Sequence, residues 1–175
     1  PGLEALVLAA LLDPDPRGHL GGVLMWQASL LAGTGFGLCV QLAGARLSTL
    51  DLRRFHGLDL DAPRLGLAAL LFALALAGLP GTAEFVGLEL VLGEQAEGSL
   101  ASLALAAALA AGLGLHAVRV FFRLFYGRLG SPGPEGAFDL LPRELLALGL
   151  LLAVLVASGF APSLLPLFRG AGGLG

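Results

Sequence analysis

Apolar residues gather in four long blocks, about 20–45, 65–92, 99–123 and 145–162, with short polar segments between them. Each block holds about 18 or more mostly apolar residues, enough for a helix rising 1.5 Å per residue to cross a bilayer. The first block contains no charged residue. The pattern predicts an all-α, polytopic membrane protein with about four transmembrane helices. The second block is interrupted. Gly78-Leu79-Pro80-Gly81-Thr82 splits it near the middle, and Glu84 and Glu89 follow the split. Pro80 has no N–H and its ring disrupts the preceding helical turn. Gly78 and Gly81 tolerate irregular backbone. The second helix is therefore expected to be discontinuous at Gly78–Gly81. In a bilayer such a break is tolerated only where protein or a water-filled cavity satisfies the freed backbone groups. An ionisable side chain beside such a cavity is a transport hypothesis by default.

Residues 1–17 read as a partial helix and turn, 18–168 as the transmembrane domain and 169–175 as a disordered tail. Leu3 to Leu12 is too short to cross, and no basic n-region or cleavage pattern marks a signal peptide. The chain begins with Pro1, and the expectation is a piece of a longer protein. Asp139 is expected to cap the fourth helix, with Pro142 in its first turn and Glu144 complementing its N-terminus.

Composition strengthens the membrane reading. The chain of 175 residues is 57% hydrophobic and 13% charged, against roughly 25% charged in a soluble domain. All basic residues are Arg, and they are unevenly placed. Arg46, Arg53, Arg54 and Arg64 lie between the first two spans; Arg119, Arg123, Arg128 and Arg143 lie between or close to the last two. Only Arg17 and Arg169 fall on the other side. The positive-inside rule then makes segments 46–64 and 119–143 cytoplasmic, in a multi-pass protein of the cell (inner) membrane. Cys39 lies within an apolar span, alone, with neither a disulfide partner nor metal-ligand spacing. No nucleotide-binding fingerprint, metal cluster, hydrolytic triad or nucleic-acid surface is legible. No cofactor and no catalytic site is expected within the chain.

Several motifs occur in one order. Leu79-Pro80-Gly81-Thr82-Ala83-Glu84-Phe85-Val86-Gly87 is similar to the G-L-P-G-T-x-G-F-V-x-E segment of the proton-conducting, antiporter-like membrane subunits. These are the large membrane subunits of NADH-quinone oxidoreductase (respiratory complex I), of Mrp-type cation/proton antiporters and of membrane-bound hydrogenases. Asp51 to Leu58 with Pro63 resembles the family's loop before that broken helix. Val118 to Gly127 resembles its R-x-y-x-R-l-F-f-G helix end, Asp139 to Glu144 the lead-in to its last helix, and Gly159 to Pro162 its terminal G-x-x-P. The resemblance covers most of residues 46–165 and matches the last four or so helices of a longer protein. It implies proton or cation/proton translocation, with protons or monovalent cations as cargo and other membrane subunits and lipid as partners. In two places the chain departs from the pattern. The register that usually carries an ionisable side chain falls on Leu88, with Glu89 next, and Glu84 stands where the pattern has Gly.

The proton-translocation candidates are Glu89, Glu84 and His116. Glu89 ranks first: it lies about two turns past Pro80 in an apolar frame of Val86, Leu88, Leu90, Val91 and Leu92, the alternative being a hydrated carboxylate near the outer surface, since Glu94 and Glu97 follow closely. Glu84 is a helix N-terminal carboxylate or a relay partner, about 140° around the helix from Glu89. His116, Arg119 and Arg123 share one helical face. The arginines are expected to be cytoplasmic-side charges that snorkel to the interface, beside an aromatic belt of Phe121, Phe122, Phe125 and Tyr126. Two other functions stay open: an accessory scaffold that transports nothing, and a proton-coupled subunit of an inorganic carbon uptake system.

Overall fold

A computed structural model of the chain describes residues 7, 8, 10–12, 16–47, 51–53, 55–58, 61–98, 100–127 and 139–160. Among these there are five helices and no strand. They are α1 (Pro16–Arg46), α2 (Pro63–Leu76), α3 (Ala83–Gly98), α4 (Leu100–Phe125) and α5 (Pro142–Phe160). Three are long and apolar enough to cross a membrane: Gly18–Arg46, Leu103–Phe125 and Pro142–Phe160. The fourth crossing is assembled from two half-helices, α2 and α3. Most of the expected N-terminal partial helix, the breaker loop at 130–136 and the tail at 169–175 lie outside the described residues.

The half-helices occupy the centre. α1 packs against both, most extensively against α3, and α4 also touches both. α5 closes the group against α1 and α3. Leu65 and Phe72 on α2 and Phe125 at the end of α4 are fully buried, with Leu24 and Met25 on α1 nearly so. Burial of large aliphatic and aromatic side chains of this kind contributes about 1.5–3 kcal/mol each in water. Within a bilayer the same contacts work through close packing. Outward faces stay apolar, as at Leu67, Leu105, Leu115, Leu146 and Leu150. The GxxxG spacing at Gly33 and Gly37 is not a packing seam, since both face open space; Gly35, between them, meets the Phe72 ring.

The two Arg-rich segments come together at one end of the bundle. Backbone N–H groups of His56, Gly57 and Leu58 donate to the carbonyls of Arg123, Tyr126 and Leu124, at 3.0, 3.3 and 3.2 Å. The loop thus satisfies the orphan carbonyls at the C-terminus of α4. Arg123 donates to the Arg53 carbonyl at 3.0 Å and stacks over the Phe55 ring, 4.5 Å from its centroid. Arg46 closes α1 onto the start of α5, pairing with Glu144 at 3.1 Å and donating to the Asp139 carbonyl.

Asp139 does not cap α5 as expected. Its carboxylate reaches across to α2, accepting from the N–H of Arg64 at 2.9 Å and of Leu65 at 3.2 Å, as well as from Leu140 at 2.8 Å. The reason is that Ala62, at the N-cap of α2, has no side chain able to accept a hydrogen bond. Those orphan donors take a partner from another segment. The cap of α5 comes from Glu144, which accepts from the Leu141 N–H at 3.0 Å. Asp139→Ala is expected to cost about 1–2 kcal/mol, the usual loss of a helix cap, by unfastening α2 from α5. Thermal melting of the purified protein in detergent would show it, and an unchanged midpoint would contradict this account of the cap.

Candidate functional site

The break has a defined chemical structure. α2 ends in a Schellman motif: the Gly78 N–H donates to Ala75 O at 2.9 Å and the Leu79 N–H to Leu74 O at 3.0 Å. That closure needs a left-handed residue, and Gly78 supplies it with φ +80. Pro80 follows, where a helix could not continue. Gly81, with φ +93, turns the chain again. The Thr82 N–H and hydroxyl both donate to Leu79 O, at 3.2 and 2.8 Å, so that carbonyl is satisfied from within the turn. α3 then starts at Ala83, with its N-terminal N–H groups facing the break. The positive end of a half-helix dipole therefore lies beside whatever stands in its first turn.

Glu84 stands there. It is 2% exposed. The Ser29 hydroxyl of α1 lies 3.0 Å from each of its carboxyl oxygens. Among the described residues these are its polar side-chain contacts, with no cation paired to it. Glu84 borders a cavity of about 180 Å³ lined also by Met25, Gly78, Leu88, Leu92 and alanines of α4. A cavity of that size has room for several waters, with Glu84 as the polar side chain in its lining to bind them. Leu88, four residues on, lines the same cavity, as an i, i+4 pair on one helical face must.

Glu89 is placed differently. It lies on the exposed face of α3, as the 140° between it and Glu84 requires. Of the two carboxylates, Glu84 is the buried one and Glu89 the exposed one. The apolar neighbours of Glu89 in sequence surround the helix and do not enclose its side chain. His116 is also exposed. It lines a separate cavity of about 390 Å³ with Leu52, Arg53, Arg119, Val120 and Arg123. The shared face of His116, Arg119 and Arg123 is thus real, but it opens away from Glu84. Exposed Phe122 and Tyr126 stand at that end of α4, with Phe121 and Phe125 stacked inside at 5.2 Å. Ser29 was not among the sequence candidates. A hydroxyl in a charge-free span, one of two there with Thr34, was its only signal, and its partner lies 55 residues away.

No family model matches the chain. Among curated proteins it is similar to NADH-quinone oxidoreductase subunit 13 of Thermus thermophilus, 34% identical over 95% of this chain. Among solved structures it superimposes on a chain of respiratory complex I from Thermus thermophilus with bound NADH, with TM-score 0.75 and 29% identity over 91% of this chain. The chain is similar over nearly all of its length to membrane subunits of respiratory complexes, consistent with an antiporter-like subunit. A chain of an archaeal membrane-bound sulfane sulfur reductase shares the fold at TM-score 0.82 over 98% of this chain, with 20% identity. The chain spans 36% of the curated relative's length, and 33% and 28% of the two solved chains. It is a membrane protein, as its apolar helices and its relatives both require. Within this family pattern the discontinuous helix is retained in full. The ionisable position at Leu88 is apolar, and a carboxylate stands one turn nearer the break.

Proposed function

We propose that this chain is a membrane subunit of a respiratory complex I-like or Mrp-like assembly, that it moves protons or exchanges cations for protons, and that Glu84 is its proton-carrying group. One observation carries the reading: a carboxyl group 2% exposed, in the first turn after a helix break, beside a cavity and held by one neutral hydroxyl. An ionised carboxylate so placed is costly without a compensating charge, whereas the neutral acid is not. The α3 N-terminus lowers that cost in part. Small changes in nearby charge then suffice to load or release the proton. The face shared with Leu88 supports Glu84 over Glu89 as the group that replaces the family's usual one.

Water in the 180 Å³ cavity would deliver the proton to Glu84. Energy comes from outside this chain, from a redox partner or an ion gradient in the same assembly. Other membrane subunits are the partners on this reading, the Arg-rich loops face the cytoplasm and Glu89 faces a neighbour or the outer interface. The test is reconstitution of the complex that contains this chain into proteoliposomes, with lumenal pH followed by a dye during turnover. Uncoupler-sensitive proton movement is expected; an assembled, active complex that moves none contradicts the proposal. In the same assay Glu89→Gln is expected to stay within about twofold of the wild type, as for a surface substitution. A collapse of transport in that variant would return the role to Glu89.

A further inference from the structure

Ser29 stands between two cavities. Its hydroxyl touches both oxygens of Glu84, which borders the 180 Å³ cavity on the α3 and α4 side. Ser29 itself borders a second, half-open cavity of about 560 Å³ and is the polar residue of its lining; the other walls are apolar, among them Leu11, Trp26, Leu30, Gly33 and Leu113. Leu76, the last residue of α2, lines both and is 7% exposed. An apolar side chain thus separates the two spaces. The polar atoms that pass beside it belong to Ser29 and Glu84.

We infer that Ser29 is the relay by which the proton on Glu84 reaches the second cavity, with Leu76 as the apolar plug that keeps the two cavities apart. This rests on the reading of Glu84 as the proton carrier and adds the exit that reading lacks. A serine hydroxyl has one proton to give and two lone pairs to receive with. In the ionised state Ser29 donates to the carboxylate. In the loaded state the Glu84 O–H donates to Ser29 Oγ, and the serine proton turns toward a water in the second cavity. Transfer breaks the Glu84 O–H bond and forms a Ser29 O–H bond. In the same event the original Ser29 O–H bond breaks and a water gains a proton. Glu84 is left as carboxylate, the water leaves as hydronium, and Ser29 ends neutral with one proton, as it began. The hydroxyl then rotates back to the carboxylate. A gap at Leu76 would join the cavities and let protons pass without the carboxyl.

The test uses the whole complex in proteoliposomes with two variants of nearly equal shape, Ser29→Thr and Ser29→Val. The hydroxyl-bearing variant is expected to move protons within about twofold of wild type, and the other about tenfold more slowly, the scale of one lost charge-assisted hydrogen bond. Equal rates in the two variants would overturn the relay, whether both are fast or both are slow. Should Ser29→Val fail to assemble, Ser29→Ala takes its place in the comparison. Glu84→Gln separates this inference from the reading beneath it. If that variant is silent while the threonine and valine variants match, the relay is wrong and the carrier stands. If Glu84→Gln pumps normally, both fall.

Discussion

Glu84→Gln should lower proton movement through this subunit by about a hundredfold or more while the complex still assembles. Glutamine keeps the shape and accepts from Ser29 through its amide oxygen, so the packing between α1 and α3 is preserved. It has no proton to exchange. The size of the effect follows from the lack of a substitute: among the described residues no second ionisable group lines the Glu84 cavity. A double variant sharpens the result. Leu88 lines that same cavity one turn further along α3. Glu84→Gln combined with Leu88→Glu returns a carboxyl to the same face and should recover part of the transport. Glu84→Gln combined with Leu90→Glu, on another face, should recover none. Both are read as initial rates of lumenal pH change, normalised to assembled complex.

The second large effect concerns the lid over the break. A Cβ added at Gly159 on α5 would come within 2.5 Å of Gly81 O and of the Thr82 carbonyl carbon, and within 2.8 Å of the Ala83 nitrogen. These are backbone atoms of the break itself and cannot swing aside as a flexible side chain would. Gly159→Ala should therefore push α5 off the turn between α2 and α3. The cost is expected at the upper end of overpacking, about 3 kcal/mol. Gly149, on the same helix with open space around it, provides the control. Gly149→Ala should be neutral or slightly stabilising, by up to about 1 kcal/mol of helix propensity. Yield of folded protein and melting midpoint in detergent decide the matter. Equal stability of the two variants would mean that α5 does not seal the break.

How much of this was readable beforehand varied with the range of the interaction. The break at Gly78–Gly81 was legible because its causes are local: a proline, two left-handed glycines and the chain between them. The four apolar blocks were legible for the same reason, since length and composition decide them. The Arg-rich segments were readable as one side, and the hydrogen bonds of His56, Gly57 and Leu58 to the end of α4 bring them together. Asp139 was misread because nearness in sequence favoured α5, while the unmet need lay in α2, whose N-cap is Ala62. The exposure of Glu89 is not legible from its apolar neighbours, because on a helix neighbours in sequence point to all sides, whereas the i, i+4 relation puts Glu84 and Leu88 on one face. Ser29 was out of reach, because nothing within α1 announces a partner on another helix.

The central claim is that Glu84 alternates between neutral acid and carboxylate beside the break. Infrared difference spectroscopy of the reconstituted complex, recorded across a pH step, observes that group directly. The account predicts a carboxylic-acid C=O band of an apolar setting that vanishes in Glu84→Gln and shifts when the Ser29 hydroxyl is removed. Wild-type and Glu84→Gln spectra that superimpose throughout the carboxylic-acid region would contradict it.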